Sequence, residues 1–88
     1  MPITDMTPSD FGRLFINRRD SFVKIARSYV RDQAVAEDIV SECFTTFWDK
    51  HESIDLKTSP EAYIMRSVKN RCLNYLRDNA KMMHPEGS

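Results

Sequence analysis

Eighty-eight residues with 13 basic and 13 acidic side chains make one small domain without net charge, which excludes a uniformly basic nucleic-acid coat. Apolar residues at 41% and aromatics at 10% exclude a disordered chain, and only two glycines among many helix formers point to an all-α domain with short connections. No apolar run approaches a membrane span and no leader pattern opens the chain, so the expected location is the cytoplasm, without membrane insertion.

The zero net charge conceals a pattern. Ser9 to Arg31 holds six basic and two acidic residues. Asp32 to Glu52 holds six acidic and one basic, and Ser53 to Ser88 six basic and four acidic. An acidic middle helix between two basic ones suits two surfaces with different partners.

The expected domain covers residues 9–81, between a short tail 1–8 and a frayed C-terminal tail 82–88. The first helix is expected to begin at Ser9 or Asp10, with Ser9 after Pro8 as its N-cap. Its apolar stripe is Phe11, Leu14, Phe15, Phe22, Ile25, Ala26 and Tyr29. Arg13, Arg18, Arg19, Lys24, Arg27 and Arg31 line the remainder as an ordinary solvated face.

A break at Val30-Arg31-Asp32-Gln33 makes Asp32 the N-cap of a second helix reaching Lys50 or His51. So short a connection implies an antiparallel neighbour. Ala36, Ile39, Val40, Cys43, Phe44, Phe47 and Trp48 fall on one side at 100° per residue, the pattern of a buried face. Asp38, Ser41, Glu42, Thr45 and Asp49 fall opposite. No lysine or arginine precedes Lys50 in this helix to neutralise them. Taken alone, such an acidic stripe is either a solvated surface or a docking face.

His51 to Ser59 is a nine-residue loop in which Ile54 and Leu56 are the candidate core plugs. Ser59 caps a third helix with Pro60 at its first position, or Thr58 with Glu61 forms a capping box. That helix runs to the low eighties. Its inner stripe is Ile64, Met65, Val68, Cys72, Tyr75 and Leu76; its outer stripe is Tyr63, Arg66, Asn70, Leu73, Asn74 and Arg77. Guanidinium groups suit phosphates, amides suit base edges and a tyrosine suits stacking, a mixture used for single-stranded nucleic acid. The same mixture also occurs on ordinary protein surfaces.

Cys43 and Cys72 both sit on apolar faces and read as small core residues rather than a disulfide or metal pair. His51 and His84 are isolated. No phosphate loop, Ser/His/Asp arrangement or zinc spacing appears, so neither an enzyme nor a cofactor or metal is expected.

The string Ala36-Glu37-Asp38-Ile39-Val40-Ser41-Glu42-Cys43-Phe44, followed by Trp48, resembles the hallmark segment of region 2 in sigma-70 family sigma factors. It is most similar to the extracytoplasmic-function (ECF) group, with Ser41 where that family usually has glutamine. Ala62 to Arg77, with Asn70-Arg71 and Asn74-Tyr75-Leu76-Arg77, resembles the family's third-helix motif at the expected separation. The resemblance runs from Phe11 to Arg77.

It implies a compact three-helix domain and a role in transcription initiation. In the family, the acidic face docks on the clamp helices of the polymerase β′ subunit, which assigns core binding here to Asp38, Ser41, Glu42, Thr45 and Asp49. The loop and third helix open and read the −10 element as single-stranded DNA. That implies DNA contacts at Ser53, Ile54, Asp55, Lys57, Tyr63, Arg66, Asn70, Asn74 and Arg77. An anti-sigma factor is a further implied partner. A complete ECF factor also carries region 4 for the −35 element, and this sequence ends before one, as an excised region 2 or a truncated relative would. The rival reading is a protein-interaction helical module without DNA binding. A duplex-reading helix-turn-helix is disfavoured, because three or four residues usually connect its helices.

Overall fold

The computed structural model describes residues 6–54 and 59–82. Three α-helices carry the fold: α1 (Pro8–Val30), α2 (Gln33–Lys50) and α3 (Pro60–Met82). The all-α three-helix domain expected from the pattern is what forms, with no strand among the described residues.

α1 starts at Pro8, one or two residues earlier than expected, and its N-cap is Thr7 rather than Ser9. Thr7 is extended, and its Oγ1 accepts the Asp10 N–H at 3.1 Å. The Thr7 N–H donates back to Asp10 Oδ2 at 3.3 Å, closing a capping box with Pro8 at the first helical position. Met6 packs on the core beneath this turn. The helix stops at Arg31, which turns left-handed (φ 59°) while its N–H donates to the Arg27 carbonyl at 2.9 Å.

Asp32 caps α2 as expected, its Oδ1 accepting the Val35 N–H at 3.1 Å. Two residues therefore reverse the chain, and α2 returns along α1. Phe11 near the start of α1 meets Phe47 and Trp48 near the end of α2. Ser59 caps α3, its Oγ accepting the Ala62 N–H at 3.2 Å. The alternative box through Thr58 lies outside the described residues, as do Leu56 and residues 1–5 and 83–88 of the expected tails.

α3 lies against both other helices. Tyr63 reaches Phe47, with ring centroids 5.8 Å apart, and Cys72 Sγ lies 4.0 Å from the Ala26 carbonyl oxygen. α3 thus runs alongside α1 and opposite to α2. The core is one cluster: Phe22, Val23 and Ala26 from α1, Ala36, Ile39, Val40, Cys43, Phe44 and Phe47 from α2, and Ile64, Val68 and Cys72 from α3. Phe44 is its hub, with Phe15 edge-on at 4.9 Å, Phe22 at 5.7 Å and Phe11 at 6.0 Å between centroids.

Three details differ from the sequence reading. Leu76 is exposed and Met65 and Tyr75 only half-buried, because the inner stripe of α3 is narrower than its run of apolar residues. Trp48 is half-buried rather than core, held between Phe11 at 4.8 Å and His51 at 4.0 Å. His51 is not isolated. It lies in a 3-10 turn, His51–Ser53, buried and stacked flat on Trp48, with Nδ1 2.6 Å from the Trp48 carbonyl oxygen.

Both cysteines are free and buried. Burial pushes the Cys43 thiol up to about 11 against a smaller opposing pull from Arg71, and burial also raises Cys72. Both stay protonated and unreactive at neutral pH, as core residues do. No helix among the described residues is long and apolar enough to cross a membrane.

Candidate functional site

The outer face of α2 is built by the inner one. Phe44, Phe47, Val40, Cys43 and Ile39 are buried, and that anchorage turns Asp38, Ser41, Glu42, Thr45 and Asp49 to solvent. All five are exposed. The face is less purely acidic than the helix sequence implies. Arg71 of α3 donates from Nη1 to Glu42 Oε1 at 2.8 Å, and its Nη2 lies 3.5 Å from Thr46 Oγ1. The neutralising cation missing from α2 comes from across the fold.

The outer face of α3 holds Arg66, Asn70, Leu73, Asn74 and Arg77, all exposed. Arg77 Nε lies 3.7 Å from Asp78 Oδ1 on the same surface. Arg66 and Lys69 make no ion pair among the described residues.

Tyr63 departs from its expected place on that outer stripe. It is half-buried against Phe47, because the first turn of α3 leans on the end of α2. Ser53 is exposed with its hydroxyl donating to the Lys50 carbonyl at 3.0 Å. Ile54 is half-buried on the core, the plug position foreseen for it. Asp55 and Lys57 lie outside the described residues.

Between the starts of α1 and α3 runs an open groove of about 640 Å³, with Arg13 and Arg18 as well as Asp10 and Glu61 on its walls. Its mixed charge selects no ligand class. No group of three or more potential metal ligands occurs among the described residues.

Arg71 and His51 are structurally engaged polar residues that sequence reasoning did not single out. Arg71 has no local signal, since its partner is 29 positions away. His51 had one, an i, i+3 spacing from Trp48 at the helix end.

An acidic, exposed helix face and a separate Arg/Asn face on the next helix thus share one small core. A family model for sigma-70 region 2 matches residues 15–82, and the chain belongs to that family. Sigma-70 region 2 is a non-catalytic transcription initiation domain that binds core RNA polymerase and recognises the −10 promoter element, and this is the role of the chain. Neither the curated proteins nor the solved structures include a significant match to it.

Proposed function

We propose that the domain belongs to the ECF group of sigma factors and divides its work between the two outer faces. The acidic face of α2 (Asp38, Ser41, Glu42, Thr45, Asp49) docks on the clamp helices of the polymerase β′ subunit. The segment from Ser53 through Asp55 and Lys57, continuing along Arg66, Asn70, Asn74 and Arg77, takes the −10 non-template strand as single-stranded DNA, while Tyr63, turned inward against Phe47, supports the start of α3 beneath it. Ile54 anchors this segment from below. Promoter opening is driven by capture of unpaired bases, a process that needs no hydrolysis and no cofactor. A protein inhibitor of the anti-sigma type is a further partner, and the work is cytoplasmic, where core polymerase is.

One observation carries the reading. The two exposed faces have different chemistry on adjacent helices of a single packed core, so polymerase and DNA can be held at once. Arg66 and Arg77 face phosphates, while Asn70 and Asn74 offer paired donor and acceptor groups to base edges.

Fluorescence anisotropy with labelled −10-like single strands and the matching duplex, at two salt concentrations, tests the DNA half. Tighter binding of the single strand, weakened by salt, is expected. Equal binding of both forms would favour a protein-interaction module. Capture of core polymerase by the immobilised domain tests the other half.

A further inference from the structure

The contact between Arg71 and Glu42 joins the helix carrying one face to the helix carrying the other. Glu42 lies amid the exposed acidic residues of α2, with Asp38 one turn before it and Thr45 and Asp49 after it. Its side chain is 65% exposed, yet one oxygen is fixed by the 2.8 Å bond from Arg71. Arg71 itself is 41% exposed and also lies beside Thr46, one turn further along α2. The guanidinium thus lies along a turn of α2, with Nη1 at Glu42 and Nη2 toward Thr46.

A carboxylate has two oxygens and about four acceptor sites. Arg71 takes Oε1 of Glu42; Oε2 makes no hydrogen bond or ion pair among the described residues. We propose that Arg71 is a positioning residue for polymerase docking: it fixes the Glu42 side chain so that the second carboxylate oxygen is presented to a cation of the partner. This rests on the reading of α2 as the polymerase-binding face. Part of the side-chain entropy of Glu42 is then already lost in the free domain, and docking does not incur that part again.

Charge counting alone predicts the opposite sign. Removing Arg71 makes the α2 face more negative, so a basic partner should bind more tightly. Positioning predicts weaker binding. The two accounts therefore separate on the direction of a single affinity change.

The test is a titration of core polymerase with the whole domain, as wild type, Arg71→Ala, Glu42→Ala and the double variant. Arg71→Ala is expected to weaken binding roughly two- to fivefold, the scale of a part-exposed ion pair. In the Glu42→Ala background the same change is expected to do nothing more, since its effect passes through Glu42. Circular dichroism melting of each variant checks that the helices persist. Unchanged or tighter binding by a folded Arg71→Ala domain overturns the inference. An equal further loss in the Glu42→Ala background also overturns it, because Arg71 would then touch the partner directly. Failure of the wild type to bind core polymerase removes the docking reading itself, and the inference with it.

Discussion

α2 and α3 each turn a polar face outward, but their inner faces differ. α2 buries Phe44 and Phe47 with Ile39, Val40, Cys43 and Ala36, whereas α3, among the described residues, buries Ile64, Val68 and Cys72 and leaves Leu73 and Leu76 exposed. The large aromatic side chains fix the rotation of α2 about its axis, and with it the direction of every acidic residue. The smaller inner side chains of α3 leave more of its circumference to solvent. One helix is the anchor of the core, and the other is mostly surface chemistry carried on a narrow contact stripe. A docking face gains from the first arrangement, and a strand-tracking face from the second.

The largest expected effect lies in the anchor. Phe44 is almost fully buried and touches three other phenyl rings. Phe44→Ala should destabilise the domain by about 3–5 kcal/mol. That is a large part of what so small a domain has. Thermal or urea unfolding followed by circular dichroism measures it. A variant that melted like the wild type but lost DNA binding would show the two faces of α2 to be reversed.

Next comes the outer face of the same helix. Asp38→Arg combined with Glu42→Arg should weaken core polymerase binding on the order of a hundredfold, since like charges then oppose each other across the interface. Stability should change by less than about 1 kcal/mol, because Asp38 is exposed and the Glu42–Arg71 pair only part-buried. Core capture with parallel melting curves separates the two effects. Unchanged affinity with the fold intact would remove the clamp assignment and leave the contrast between the helices purely structural.

On α3 the expected effects are smaller and concern discrimination. Asn70 is exposed at the middle of the outer stripe. Asn70→Ala should reduce discrimination between strands that differ at one base by about 1–3 kcal/mol, as loss of a base-edge contact does. Anisotropy with a set of single-base variants reads this out. Uniform weakening across the set would make Asn70 a backbone contact instead.

The turn that sets α2 against α1 offers a further, lesser test. The Asp32 carboxylate accepts the Val35 N–H at 3.1 Å. Asp32→Ala should cost about 1 kcal/mol in unfolding free energy, the usual loss for an N-cap. No change would mean that the left-handed Arg31 turn alone holds the reversal.

How much of this was legible in the residues depends on where each lies around its helix. The buried centre of α2 and the exposed centres of both outer stripes follow from spacing alone, because a residue opposite the contact line has nowhere else to point. Residues at the stripe edges do not. Tyr63, Leu76 and Arg71 each lie where a small rotation of α3 decides between core, solvent and the neighbouring helix. Tyr63 goes to Phe47, Leu76 to solvent and Arg71 to Glu42. Only the tertiary packing makes that choice. The start of α1 differs from Ser9 or Asp10 for a local reason: Pro8 fits both before a cap and just inside a helix, and the Thr7–Asp10 box selects the second.

The finest test concerns two arginines that look equivalent on the outer stripe of α3. Arg66 makes no ion pair among the described residues, whereas Arg77 Nε lies 3.7 Å from Asp78 Oδ1. Binding a phosphate at Arg66 releases a counterion. At Arg77 the carboxylate already supplies part of the neutralisation, so less is released. For single-stranded DNA, each full phosphate contact contributes about 0.7 to the slope of log affinity against log salt. Arg66→Ala should therefore flatten that slope by nearly this amount and weaken all sequences alike. Arg77→Ala should flatten it by less. Asp78→Asn should bring the Arg77 contribution up to that of Arg66, and affinity should rise slightly. Anisotropy titrations at four salt concentrations resolve the slopes. If both alanine variants lost the same amount, Asp78 would have no hold on Arg77 once a strand is bound, and α3 would offer the backbone two equal cations.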